Sequence, residues 1–455
     1  MEDFVVVPVE VRCRQMCTDA AELSKVITSF IRHRNGVTHP GDIIPLWGAS
    51  ELITSTVELL RVCDVYCPLN GVAAGRADYA LVMYYLHGDD VSMAMQGEET
   101  SESQALLTYR DSDDEVDAST VPCSIVQIPH ASLEGLWESM HFGDSTCDTV
   151  ELKRDLLQYM HTAMVFSMAD VNPQVIAWNQ LVLLHGPPGT GKTSFCKALS
   201  HKLSIRLAGI FPKAKLVEVN TQSLFSRWFS ESGKHVMGLF RRIHTMAEDS
   251  KCLLFVLVDE VESLAGARNS AMRGNEPSDA IRVVNTLLTQ LDILQKKRNV
   301  VILATSNITG AIDVAFVDRA DKKVFIGPPG LPARLQLIRA STQELVQRRL
   351  IMLDPPNDQG FIGAGGLMPI GEGRVELNAR ELQRLELVAA QCDTFSGRTL
   401  KKLPFLAYSK HIGGSPVFTT GESSTASAIS FDTYIKSLTS AVEGEILSRR
   451  MMVSS

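Results

Sequence analysis

The chain has 455 residues, more than one ordinary domain needs, so two or three domains are expected. Hydrophobic residues make up 45% and charged residues 21%, with a mean hydropathy of +0.05, which gives ample material for cores and the balance of a soluble protein. The net charge of −8 argues against nucleic acid as the bulk partner, because surfaces that grip phosphate non-specifically are basic.

The opening, Met1-Glu2-Asp3-Phe4, carries acid where a secretory signal carries Lys or Arg. The longest apolar runs, such as Leu253–Val258, fall far below the ~18 residues of a membrane span, so an intracellular chain without a membrane partner is expected. Phe4-Val5-Val6-Val7 and the run Tyr79 to Tyr84 predict strands. Between them, Leu23, Val26, Ile27 and Phe30 recur at helical spacing and predict a helix over Ala20 to Arg32. Cys13/Cys17 and Cys63/Cys67 have the short spacing of thiolate pairs but lack the setting of tight knuckle turns, and buried reduced thiols are the better reading. An acidic stretch follows, from Glu98 to Asp117, opposed by Arg110 alone. Self-repulsion predicts a solvated loop there, with an acidic docking segment as the alternative.

From about Pro129 to Pro329, helices alternate with the apolar runs Leu181–Leu184, Leu216–Val219, Leu253–Val258 and Val300–Ala304. Uninterrupted runs of this kind predict an α/β domain, a parallel sheet with helices on both faces. The first run leads into Gly186-Pro187-Pro188-Gly189-Thr190-Gly191-Lys192-Thr193, and Ser194 onward continues as a helix. This is the full phosphate-binding loop in its proper strand-to-helix setting. Glycines let backbone N–H groups close round phosphates, Lys192 supplies a point charge, and the Thr193 hydroxyl is a ligand for Mg²⁺. These residues predict ATP and Mg²⁺ as cofactors. The third run ends in Asp259-Glu260, two carboxylates that would be costly at the end of a buried strand without a task. Asp259 is placed to hold Mg²⁺ and Glu260 to polarise the attacking water. The fourth run reaches Thr305-Ser306-Asn307, where the Asn307 amide can donate and accept at once and so position that water.

Beyond Gly330 the apolar spacing is helical only, through Leu335, Ile338 and Leu345 and then Leu382, Leu385 and Leu387. Two Gly-rich or Ser-rich stretches, Asp354 to Gly373 and Gly413 to Ser427, predict flexible insertions. Phe431 to Arg450 predicts an amphipathic helix ending in Arg449-Arg450.

The three strands in this order, with Asn307 after the last, resemble the AAA+ ATPase family: a P-loop domain followed by a small helical domain. Asp313-Val314-Ala315-Phe316-Val317-Asp318-Arg319 lies where that family places its arginine finger, so the resemblance implies that Arg319 reaches the nucleotide of a neighbouring subunit. A surface ion pair with Asp318 or Asp321 is the alternative. Ser396-Gly397-Arg398, heading a helical segment Thr399 to Leu406, resembles the second sensor, with Arg398 on the γ-phosphate. Ser226-Arg227-Trp228-Phe229-Ser230-Glu231-Ser232-Gly233 resembles the family's pore loop, which implies that Trp228, supported by Phe229, grips polypeptide; packing in the core is the alternative. Arg268 to Asn275 is the candidate second pore loop.

The stretches Leu183 to Ser194, Ser223 to Lys234, Glu276 to Asn285, Asp313 to Asp321 and Ser396 to Ala407 are similar to the pachytene checkpoint (thyroid hormone receptor interactor 13) family of AAA+ ATPases, with coverage from about Leu133 to Tyr408. The resemblance implies a homohexamer of the nucleus and cytoplasm that remodels HORMA-domain proteins, directly or through a HORMA adaptor, in spindle-checkpoint and meiotic-axis control. It also implies three domains: residues 1–122, α/β, recruiting substrate or adaptor; 123–329, the large ATPase domain; and 330–455, a helical lid. A nucleic-acid motor of the clamp-loader or initiator type, and a scaffold that binds ATP without hydrolysis, are the rival classes.

Overall fold

Alternation of side chains along an extended chain sets the first element. In β1 (Val5–Cys13), Val7, Val9 and Val11 turn to one face and are fully buried, while Glu10 turns to the other. The computed structural model describes residues 5–16, 19–34, 36–63, 71–73, 76–88, 123–172, 174–221, 232–265, 279–308, 312–353, 377–412 and 428–454. Among these, α1 (Ala20–His33) lays Leu23, Ile27 and Ile31 on the β1 core. β2 (Val37–Thr38), α2 (Glu51–Thr56), β3 (Val57–Val62), β4 (Val72–Ala73) and β5 (Ala77–Tyr85) follow. They form a three-stranded sheet of order β3-β1-β5, with β1 antiparallel to β3 and parallel to β5, and a small β2-β4 pair. Cys13 and Cys63 are buried cysteines, and Cys17 and Cys67 lie outside the described residues.

The large sheet begins with β6 (Cys123–Ile128). Then come α3 (Thr146–Met168), β7 (Leu181–His185), α4 (Lys192–Arg206), β8 (Lys213–Asn220), α5 (Ser232–Met246), β9 (Cys252–Asp259), α6 (Asp279–Leu294), β10 (Val300–Ser306), α7 (Val314–Val317) and β11 (Lys322–Phe325). Strand order is β11-β7-β10-β9-β8-β6, the first five parallel and β6 antiparallel at the edge. All four predicted apolar runs are strands of this sheet. Leu181, Leu183, Val217, Val219, Val256, Val258, Ile302 and Ala304 share one face with Leu239 and Phe240 of α5 and Leu287 and Leu291 of α6. Alternate residues such as Val182, Leu216, Phe255 and Leu303 are equally buried, and α4 packs on β8, β9 and β10. A strand buried on both faces has no polar side, which is why it reads as an unbroken run.

Glu10, only 2% exposed, points from β1 to α4, where its carboxylate accepts from Lys202 Nζ at 2.7 Å and lies 3.4 Å from Arg206 Nη2. Arg12 adds ion pairs to Glu58 and Glu134, both at 3.2 Å. The N-terminal sheet is thus fastened through its polar face to the helix that follows the phosphate loop.

The chain divides into two compact units. The first takes Met1–Trp137, Val150–Gly186 and Lys192–Phe325; the second takes Glu138–Thr149, Pro187–Gly191 and Ile326–Ser455. The second unit holds α8 (Leu331–Gln347), β12 (Ile351–Met352), α9 (Ala379–Gln391), α10 (Gly397–Ile412), β13 (Ile429–Ser430) and α11 (Phe431–Ser454). α9 starts at a capping box: Asn378 Oδ1 accepts the Glu381 N–H at 2.9 Å, and Glu381 Oε2 accepts the Asn378 N–H at 2.8 Å. The core gathers Ile338, Leu385, Val388, Leu400, Leu403, Tyr434 and Leu438. Two details depart from the purely helical expectation. Ile351 pairs with Ile429 in a short parallel β12-β13 ladder. Leu387 is 64% exposed, because two residues on from buried Leu385 a helix has turned by more than half a circle. The predicted insertions and the acidic stretch lie outside the described residues. Among the described residues no helix is long and apolar enough to cross a membrane.

Candidate nucleotide site

β7 runs between β10 and β11 and delivers Gly186 at its carboxyl end, the edge at which open parallel sheets bind ligands. Gly186, Gly189 and Gly191 have φ of 144°, 77° and 96°, conformations that favour glycine. At Gly189 the space is closed as well, since a Cβ would sit 2.8 Å from Ser396 Oγ. Thr190 Oγ1 donates to Pro187 O at 3.0 Å, which tightens the turn past Pro188. Lys192 opens α4 with Thr193 and Ser194 behind it, at a helix end that favours anions. The residue is 4% exposed, and its ammonium donates to Gly186 O at 2.9 Å.

Thr193 Oγ1 donates to Asp259 Oδ1 at 3.0 Å. The same carboxylate oxygen accepts a short hydrogen bond from Thr305 Oγ1, which in turn accepts the Glu260 N–H at 3.3 Å. Thr305 therefore ties the ends of β9 and β10 together through one hydroxyl. Glu260 has φ of +61°, a strained value for a residue with a side chain. Its carbonyl is held by Thr221 Oγ1 at 2.6 Å and Ser263 Oγ at 2.8 Å, which over-determines the bend. Burial, then the charge of Asp259 and then that of Glu262 push the Glu260 carboxyl above its usual range. Asn307 donates its backbone N–H to Glu262 Oε1 at 3.1 Å, while Glu262 Oε2 is buried with no hydrogen-bond partner among the described residues. His185 Nδ1 is also buried with no partner among the described residues, and burial and then Lys192 hold that imidazole below its usual range.

In the second unit, Arg398 stands at the head of α10 and donates its backbone N–H to Gly189 O at 3.1 Å. Ser396 Oγ caps the helix, accepting the Thr399 N–H at 3.3 Å. Arg319 is engaged elsewhere. Its guanidinium pairs with Asp292 of α6 through two bonds, Nε–Oδ1 at 2.6 Å and Nη2–Oδ2 at 2.8 Å, and Nη1 donates to Ala315 O at 2.6 Å. The ion pair is thus with Asp292 rather than Asp318 or Asp321, since Asp321 is occupied by the backbone and side-chain N–H groups of Asn179. Trp228 and Phe229 lie outside the described residues, as does the stretch 268–275. Sequence reasoning missed Thr305, Thr221 and Ser263. Thr305 was within view, two residues before Asn307, but its bond to Asp259 depends on strand register.

Within the first unit the residues fit a phosphate and a hard cation: the buried Lys192 and two oxygens from Thr193 and Asp259 directed at each other. Sheet order, loop and paired acids define a P-loop nucleoside-triphosphatase fold of the AAA class. The family model for ATPases associated with various cellular activities matches residues 182–328, and that for the TRIP13-like AAA+ ATPase lid C-terminal domain matches 330–446. The pachytene checkpoint protein 2 homolog of Oryza sativa subsp. indica is 38% identical over 90% of this chain and 83% of its own length. The human homolog is 42% identical over 72% of this chain and 70% of its own. The Arabidopsis thaliana homolog is 48% identical over 62% of this chain, and the match spans 60% of that relative. The solved structure of C. elegans PCH-2 superposes with a TM-score of 0.69 at 29% identity, covering 97% of this chain and all of that one. The chain belongs to the pachytene checkpoint protein 2 family of AAA+ ATPases.

Proposed function

We propose that this chain hydrolyses ATP with Mg²⁺ and uses the cycle, as a homohexamer, to remodel HORMA-domain proteins. The observation that carries the hydrolytic reading is the bonded set Thr193–Asp259–Thr305–Glu260, which joins a candidate metal ligand to a candidate base through one hydroxyl. Lys192 would neutralise phosphate oxygens at the start of α4, and Thr193 and Asp259 would hold the metal. Bound Mg²⁺ would draw charge from the phosphate oxygens. Glu260, with its raised proton affinity, would take the proton of the attacking water, and Asn307 would orient that water. Arg398 would read the γ-phosphate from within the subunit, and Arg319, released from Asp292, would reach the site of a neighbour.

Family membership supports the HORMA reading, with the N-terminal module of residues 1–122 recruiting substrate or adaptor, 123–329 hydrolysing and 330–455 acting as lid. Trp228, with Phe229 behind it, would grip the threaded polypeptide, and checkpoint and meiotic work would place the protein in nucleus and cytoplasm. Glu260→Gln tests the whole reading. The full-length variant should bind nucleotide, release phosphate at least about a hundredfold more slowly, and retain HORMA-domain proteins in a pull-down with ATP. Wild-type phosphate release would remove Glu260 from its role, and retention of no HORMA protein would remove the substrate class.

A further inference from the structure

α11 carries an arginine, Arg449, whose two terminal nitrogens both reach the turn that presents Arg398. Arg449 lies beyond the stretch that the lid family model matches, 330–446. Its Nη1 donates to Thr394 O at 3.2 Å and its Nη2 to Thr399 Oγ1 at 2.8 Å, while Glu445, one turn earlier, accepts from Nε at 3.0 Å. The guanidinium carbon stands 4.4 Å from the centroid of Phe395, which is 1% exposed. A planar fork with fixed donors is the side chain suited to such a clamp.

The clamped turn needs holding. Thr394 has φ of +70°, strained for a β-branched residue, and it is the carbonyl of this residue that Arg449 grips. Thr399 Oγ1 relays the grip to Ser396 Oγ at 3.1 Å. Ser396 is the side chain that closes the space at Gly189, and the Arg398 N–H bonds Gly189 O. From α11 to the phosphate loop the path is therefore Arg449, Thr399, Ser396 and then Gly189, with Arg398 inside it.

We propose that Arg449 is a positioning residue for nucleotide sensing: by clamping Thr394–Thr399 it sets Arg398 and the Gly189 carbonyl in register. The inference rests on the reading of Arg398 as the arginine that meets the γ-phosphate. It makes the C-terminal helix part of the sensing apparatus, acting only through the turn it holds.

The test uses full-length protein and compares Arg449→Ala, Arg449→Lys, Arg398→Ala and the double alanine variant in phosphate release, reading kcat and KM for ATP beside the melting temperature. Arg449→Ala should change the same kinetic parameter as Arg398→Ala, by about tenfold, as a small misplacement of a working group does. Arg449→Lys, which keeps the charge and loses the fork, should recover only part of that change. The double variant should be no worse than Arg398→Ala alone. Wild-type kcat and KM for Arg449→Ala beside an impaired Arg398→Ala would overturn the proposal, as would a double variant equal to the product of the singles. Wild-type kinetics for Arg398→Ala would overturn the underlying reading and this one with it. If Arg449→Ala does not fold, Thr399→Val, which removes only the gripped hydroxyl, is read by the same criteria.

Discussion

Replacing Lys202 with methionine tests how firmly the N-terminal sheet is fastened to α4. Methionine takes up much the same space as the lysine stem, so little of the effect comes from packing. Charge is what changes. Glu10 is 2% exposed, loses the 2.7 Å bond to Lys202 Nζ and keeps the 3.4 Å contact with Arg206. Removing one member of a buried ion pair costs about 3–5 kcal/mol, and the remaining guanidinium places the expected loss near the lower end, about 3 kcal/mol. Converting the carboxylate as well, in Glu10→Gln/Lys202→Met, should bring stability back to within about 1 kcal/mol of the parent, because no buried anion is left to solvate. Urea unfolding of the full chain reads both values, and hydrogen exchange of the β1 amides localises them. A single variant that loses less than about 1 kcal/mol, or a double variant as unstable as the single, would refute the argument.

Two further outcomes are expected. Thr305→Val keeps the shape of a residue that is 1% exposed and removes the hydroxyl shared by Asp259 and the Glu260 N–H, so kcat for phosphate release should fall about tenfold with nucleotide affinity changed less than about threefold. An unchanged kcat would detach Thr305 from the site. His185 has its proton affinity lowered in the fold, so the unfolded chain binds the extra proton first; the contribution is fully present well above pH 6.5 and is lost as pH falls from that value towards the lower folded one. His185→Phe, which fits beside Phe325 at a ring separation of 5.5 Å, should flatten the fall in urea midpoint between about pH 7.5 and about pH 5.5; an identical fall would exclude His185 as its source.

The parts of this fold that could be read in advance share a physical cause. β7, β9 and β10 are buried on both faces, and a strand with no wet side writes itself as an unbroken apolar run. The helix over Ala20 to His33 was legible for the complementary reason, that only one of its faces meets a core. β6 was not legible. It is an edge strand with mostly half-buried residues, and its partner β8 lies some ninety positions along the chain. The β12-β13 ladder hides for the same reason, with two residues on each side and a long excursion between them. The phosphate loop was recognised because its chemistry is contiguous. Thr305 on Asp259 and Arg449 on Thr399 join residues 46 and 50 positions apart, and only the folded backbone makes them neighbours.

The bidentate pair between Arg319 and Asp292 has a consequence for self-association. A guanidinium already matched oxygen for nitrogen by a carboxylate of its own subunit gives up two strong bonds before it can serve any other acceptor. If a second copy is to engage Arg319, as proposed, its acceptor would have to compete with this local anion. Under the proposed function Asp292 would thereby act as a holster, giving up the arginine only to a more highly charged acceptor such as the polyphosphate of a neighbouring copy.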